Sequence, residues 1–209
     1  EVVRSNINQF DVELYYRDPD IREKRLSFRS GDGRERRIME NILAITGGRP
    51  AYARIADIIA ANPEVLHVAP SYAEVELTGR CELDCIFCFR KKLATEHGDM
   101  QPAVFERLID GLSSFGLPYS LCFGGSGEPL MHASFYEFTS RALRDGRLKN
   151  LVVETNGLLA GDNLSAFVRS TGDPRLRFIV NINAIDGPTY AALHGQDRFE
   201  RVQRNIAAL

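Results

Sequence analysis

In Ala73-Glu-Val-Glu-Leu-Thr78 apolar and polar residues alternate one for one, the period of a strand with one apolar face. Gln101 to Phe115 changes period: Val104, Leu108, Ile109 and Leu112 recur at helical spacing. Tyr119 to Phe123 predicts a short strand that runs into glycines, and Ala133 to Arg144 a helix. Leu151 to Thr155 predicts a strand ending at Asn156-Gly157, and Asn163 to Ser170 a short helix. Arg175 to Asn183 predicts a fourth strand, with helices around Pro188 to His194 and Phe199 to Leu209. Four strand–helix units in succession, with no hairpin turn between strands, predict an α/β domain with a parallel sheet and right-handed crossovers.

The residues before about Ala69 do not share this rhythm. Phe10 to Tyr16 and Arg25 to Phe28 predict short strands, and Ser30-Gly-Asp-Gly33 a turn. Arg34 to Ile45 predicts a helix stopped by Gly47-Gly48, and Ala51 to Ala61 a second one stopped by Asn62-Pro63. The expected organisation is therefore a small N-terminal α/β appendage over 1–69, without recognisable chemistry, and a main domain over 70–209. Because the helical run at Phe199 to Leu209 ends without a capping signal and Glu1 is not an initiator Met, the chain is expected to be a piece of a longer protein.

Composition narrows the classes. The 209 residues are 44% hydrophobic, enough for a sizeable core, and the net charge of -2 gives no footprint for nucleic acid or an anionic membrane surface. No apolar run has the length of a membrane span, and the start is not a signal peptide. There are four cysteines, three of them in one loop, a poor layout for a disulfide framework; a reducing, cytoplasmic compartment is expected.

That loop is Cys81-Glu-Leu-Asp-Cys85-Ile-Phe-Cys88, directly after the first strand. Thiolates are soft ligands suited to zinc or iron–sulfur centres, and three of them leave a four-site centre one position open. In parallel sheets functional sites lie at the carboxyl ends of the strands. The candidate chemistry is distributed in that way. The cysteines follow strand one, Gly124-Gly-Ser-Gly-Glu-Pro129 follows strand two, Asn156-Gly157 follows strand three, and Asn181 and Asn183 end strand four.

The spacing of Cys81, Cys85 and Cys88, with aromatic Phe87 before the last, resembles the radical SAM superfamily. The resemblance covers Tyr72 to Leu209 and implies a partial (β/α) radical SAM barrel, incomplete at its C-terminus. It implies that the three cysteines ligate three irons of a [4Fe-4S] cluster, that the fourth iron takes the amino and carboxylate groups of S-adenosylmethionine, and that Phe87 flanks adenine. The loop Gly124, Gly125, Ser126, Gly127, Glu128 is similar to the family's Gly-Gly-Glu-Pro motif, with Ser126-Gly127 in place of a single spacer, and is implied to hold the SAM amino group. Asn181 and Asn183 stand where the family has a Ser-x-Asp ribose contact. The expected chemistry is reductive cleavage of SAM to a 5′-deoxyadenosyl radical that abstracts hydrogen from a small-molecule or peptide substrate, with a one-electron donor as partner. The loop sequences look most like members with a C-terminal SPASM extension, the spiro-SPASM group among them.

The competing reading is a non-catalytic zinc- or iron–sulfur-binding module for interaction or electron transfer, with His97 or His132 as a distant fourth ligand. Cys122 is expected to be a small buried hydrophobe. His67, His97, His132 and His194 are expected at the surface or in packing roles, and Arg90-Lys91-Lys92 as a solvated basic turn. Parity along the strands places Glu74, Glu76, Glu154, Arg177, Asn181 and Asn183 on the inner face of the sheet, and Arg177 is expected to offset one or more of the glutamates.

Overall fold

The structure, a computed structural model, describes residues 26, 31, 33–92 and 98–209. The chain divides into two compact units, with the division between Val68 and Ala69. In the first, α1 (Gly33–Thr46) and α2 (Tyr52–Ala61) present Ile38, Ile42 and Ile59 to a small core that Val65 completes. The short strands and the turn expected before residue 33 lie outside the described residues, apart from Leu26 and Gly31.

The second unit alternates strand and helix: β1 (Tyr72–Val75), α3 (Pro102–Ser114), β2 (Tyr119–Phe123), α4 (Phe135–Leu143), β3 (Leu148–Thr155), α5 (Asp162–Thr171), β4 (Leu176–Val180), α6 (Gly187–His194) and α7 (Phe199–Ala208). The four strands pair in parallel in the order β1-β2-β3-β4, so each strand lies beside its predecessor. Parallel neighbours need crossovers, which the helices supply.

The two faces of the sheet differ. Val75, Leu121, Phe123, Leu151 and Val153 turn to the helix side and join Phe105, Ile109, Phe135, Phe138 and Leu164 in the main core. The pairs Val75–Phe123, Phe123–Val153 and Val153–Phe178 are in register, so one row of large apolar groups crosses all four strands. On the other face the matching row is Glu74, Cys122, Val152 and Arg177. The parity read from the sequence thus places the glutamates on the inner face, yet no ion pair joins Arg177 to Glu74, Glu76 or Glu154 among the described residues. Distance explains this for β1, since β4 lies three strands away, roughly 14 Å. Solvent explains the rest: Arg177 is exposed, and a wet charge needs no partner.

Two strands end earlier than their patterns predict. Beyond Val75, the Met100 amide donates to Leu77 O, and Thr78 forms a bridge with Asp99, drawing the chain off the sheet. Beyond Val180, the Asn181 amide still donates to Thr155 O, but Asn183 has φ 52, a left-handed conformation that breaks the extended run. Among the described residues, no helix is long and apolar enough to cross a membrane.

Phe105 anchors the helix-side core. It is fully buried, stacks on Phe138 at 4.2 Å and 3°, and meets Phe123 edge-on at 5.9 Å. Phe105→Ala should lower unfolding stability by about 3–5 kcal/mol, read as a shift of the urea midpoint at constant slope.

Candidate functional site

The loops at the carboxyl ends of the strands meet at one cleft. It is lined by Cys81, Leu83, Cys85 and Phe87 after β1, by Gly124, Gly125, Gly127 and Glu128 after β2, and by Glu154, Thr155 and Asn156 at the end of β3. Asn181 and Asn183 after β4 and His194 at the end of α6 complete it. Of the residues expected to hold the cluster or SAM, Cys88 and Ser126 are the two that do not line it.

The cysteine loop has almost no regular structure and is held by side chains from elsewhere. Arg90 donates to three of its carbonyls, Gly79 O at 3.3 Å, Cys81 O at 3.5 Å and Leu83 O at 3.1 Å. Lys91 pairs with Asp84 at 2.8 Å. Two members of the basic turn therefore brace the loop rather than standing free in solvent. Gln196 donates to Glu82 O at 2.8 Å, and Asn156 Nδ2 to Glu82 Oε1 at 3.1 Å. The Ile86 amide donates to Leu193 O, which ties the loop to the end of α6.

His194 has a larger part than its sequence context suggests. Its ring is 2% exposed; Nε2 donates to Ile182 O at 3.0 Å, which leaves Nδ1 as the acceptor facing Cys85 Sγ at 3.0 Å. Phe87 meets the same ring edge-on at 5.8 Å and stays 56% exposed at the cleft mouth. His132 is a packing residue: its nitrogens are taken by Met100 O and the Ser134 amide. His67 is exposed, and His97 lies outside the described residues.

The glycines after β2 answer first to packing. A Cβ on Gly127 would stand 1.8 Å from Thr78 O, and one on Gly125, at φ +105, would stand 2.6 Å from Glu76 Oε2. The loop can lie this close to the chain leaving β1 only without side chains. Ser126 turns onto Glu76, whose Oε2 accepts from its amide at 2.5 Å and its hydroxyl at 2.6 Å. What remains toward the cleft is bare backbone.

Glu128 joins the loops. Its amide donates to Arg80 O at 2.7 Å, and its carboxylate accepts from Thr155 Oγ1 at 2.8 Å, the Asn156 amide at 2.9 Å and the Leu130 amide at 3.1 Å. The side chain is 3% exposed, and burial pushes its pKa up to about 7 against the pull of those donors.

Burial also pushes Cys81 up to about 11 and raises Cys85, so without metal these thiols hold their protons, which a metal centre must displace. Among the described residues, no three His, Cys, Asp or Glu side chains converge where one ion could sit. A cluster asks for something different, sulfurs set apart on one loop so that each meets its own iron. Two buried polar atoms beside the loop, Glu82 Oε2 and Tyr190 Oη, have no hydrogen-bond partner among the described residues. Three free thiols on one loop, two of them lining the cleft, with glycine backbone in the same lining, fit a thiolate-bound cluster with a small polar ligand beside it.

The Radical SAM superfamily model matches residues 75–209. Among curated proteins, the chain is 30% identical over 111 residues to the tungsten-containing aldehyde ferredoxin oxidoreductase cofactor-modifying protein of Pyrococcus furiosus, covering 53% of this chain and 31% of that one. It is 28% identical over 134 residues to a probable GTP 3′,8-cyclase of Methanothermobacter thermautotrophicus, covering 64% and 42%. The chain thus spans less than half the length of these curated relatives. Among solved structures, Streptococcus suis SuiB bound to precursor peptide SuiA matches with TM-score 0.53 and 17% identity, covering 82% of this chain and 41% of that one. Native anSMEcpe with bound AdoMet and Cp18Cys peptide matches with TM-score 0.56 and 18% identity, covering 66% and 39%. These two likenesses establish the fold, a partial (β/α) barrel.

Gly127→Ala should cost about 3 kcal/mol of stability because the backbone leaving β1 has to move. Gly111→Ala, on α3 with nothing within 4 Å of the new methyl, should instead raise stability by up to about 1 kcal/mol. Equal shifts of the two urea midpoints would contradict the packing account.

The raised pKa of Glu128 has a definite sign. Between the ordinary value of 4.5 and about 7 the folded state holds a proton that the unfolded state has released. Stability therefore falls as pH rises through that window. Urea unfolding at pH 4.5 and pH 7 should show a steeper loss for the wild type than for Glu128→Gln, which has no proton to release there.

Proposed function

The chain belongs to the radical SAM superfamily, with a [4Fe-4S] cluster and S-adenosylmethionine as cofactors, and on that premise we propose that it is the catalytic core of an enzyme that makes a carbon-centred radical from SAM. The reading is carried by one observation: the three-cysteine loop and the glycine loop, from different strands, face one cleft at the carboxyl edge of the sheet. When bound, the cluster supplies the electron that splits SAM into methionine and a 5′-deoxyadenosyl radical, chemistry that belongs to the cofactors.

The chain's own residues bind, orient and exclude. Cys81, Cys85 and Cys88 hold the cluster as thiolates. The backbone of Gly124, Gly125 and Gly127 receives the SAM ammonium, which needs carbonyl acceptors at close range. Asn181 and Asn183, exposed at the cleft edge, can each donate to and accept from ribose hydroxyls. Phe87 offers an exposed aromatic face to adenine. Ser126 and the Glu128 carboxylate shape the loop from behind, since both are engaged with protein partners. A small molecule or a peptide reaching the inner face of the sheet is the proposed substrate class, and a one-electron donor the partner.

Cys81→Ser, Cys85→Ser and Cys88→Ser should each reduce iron and sulfide to background after anaerobic reconstitution and abolish 5′-deoxyadenosine formation from SAM in the full-length protein. Undiminished iron in any of the three would remove that cysteine from the ligand set. A zinc atom bound in place of iron would turn the reading toward a non-catalytic module. Asn181→Ala should weaken SAM binding by about tenfold, the loss of one or two polar contacts, with cluster content unchanged.

A further inference from the structure

Asn156 follows β3 directly and opens a turn. Its side-chain Oδ1 accepts from the Leu158 amide at 2.8 Å, and Gly157 follows at φ 77. An asparagine in such a turn uses the acceptor end of its amide, and an aspartate would serve as well. The donor end is surplus to the turn. Here it is not idle: Nδ2 donates to Glu82 Oε1 at 3.1 Å and to Cys81 Sγ at 3.8 Å.

The orientation of this amide is fixed by its neighbours. The Leu158 N–H can only donate, so the atom facing it is the oxygen, and the nitrogen faces the cysteine loop. The backbone amide of Asn156 is held by Glu128 Oε2 at 2.9 Å. Glu82, which takes one hydrogen of the side-chain amide, is itself anchored through its carbonyl by Gln196 at 2.8 Å. The other hydrogen is left for the Cys81 sulfur, 75 residues back along the chain. Contacts from N–H to sulfur run longer than those to oxygen because sulfur is larger, and a thiolate accepts more strongly than a neutral thiol. His194 offers nothing of this kind to Cys85, since its nitrogen on that side is the acceptor.

We propose that Asn156 is a positioning residue for the cluster, whose amide donates to the sulfur of Cys81 and makes the cluster easier to reduce. The inference rests on the radical SAM reading and concerns how readily its cluster takes up the electron. Reduction adds a negative charge that the cysteine sulfurs share. A hydrogen bond to one of those sulfurs is therefore stronger in the reduced state than in the oxidised one, and it raises the potential. Glu82 acts in the other direction, because a carboxylate beside the loop opposes added negative charge. Its Oε2 is buried without a hydrogen-bond partner among the described residues, so little screens that charge. The Asn156 amide, by giving one hydrogen to each, offsets the carboxylate and favours the sulfur at once.

The test is the midpoint potential of the cluster in the full-length reconstituted protein. It is read from the reduced-cluster electron paramagnetic resonance signal that changes when SAM is added. Asn156→Ala should disfavour reduction about tenfold, a drop of about 59 mV for one electron. Asn156→Asp keeps the acceptor for Leu158 and should lower the potential at least as far, since it sets a charge where the donor stood. Glu82→Gln should move the potential the opposite way. In the Glu82→Gln background, Asn156→Ala should still show the drop; its disappearance there would assign the effect to the freed carboxylate and overturn the inference. A second readout needs no variant to fold: wild type labelled with 15N at asparagine side chains should show a nitrogen coupling to the reduced cluster by pulsed resonance. Absence of that coupling, or coincident potentials for Asn156→Ala and wild type, overturns the role of Asn156 and leaves the radical SAM reading standing. A wild type that takes up no iron and sulfide overturns both.

Discussion

The carboxylate of Glu128 sits where three chain segments from different strands converge, and the cleft takes its shape from what that carboxylate holds. Its amide fixes the residue immediately before the first cysteine, while its oxygens take the Thr155 hydroxyl and the Asn156 amide at the end of β3. Such a bond set is strong because it is dry: donors that lose a buried acceptor forfeit their desolvation as well as the bond. The cost is that a charge is confined away from water, which the raised pKa of Glu128 expresses. Rigidity at a cleft is thus obtained by tolerating an awkward ionisation beneath it.

Packing and chemistry use the same residues here. Gly125 and Gly127 lack side chains because Glu76, Thr78 and Arg80 press against their backs, and a ligand on their front is met by backbone as a consequence. Ser126 turned onto Glu76 completes the fastening. A loop clamped on one side has little freedom to collapse on the other, so its acceptors stand in place before any ligand arrives. Preorganisation of this kind spares the ligand the cost of ordering the loop.

The parallel sheet and its alternating helices were legible in the sequence because each depends on residues near one another along the chain. A period of two or of 3.6 is a local signal, and Cys81, Cys85 and Cys88 fall within eight residues. Contacts that arise from tertiary structure were not legible. Cys85 and His194 are 109 positions apart, and no motif announces that the last residue of α6 will be buried against the cysteine loop. Arg90 reads as part of a basic turn until its three carbonyl partners are known. The early ends of β1 and β4 were hidden in a similar way: alternation continues through Thr78 and Asn183, while pairing is decided by Asp99 and by one left-handed residue.

The inner face of the sheet shows why parity alone does not yield ion pairs. Alternation correctly separates Glu74 and Glu154 from the helix-side core, but it carries no information about how far apart strands lie or how wet the face is. With Glu74 and Arg177 in solvent, a polar face costs little to maintain, so there is no energetic demand for Arg177 to seek a glutamate. Cys122 is the exception on that face, since it alone in its row is fully withdrawn from water. Its burial, with the Glu154 and Glu74 carboxylates nearby, raises the pKa of its thiol.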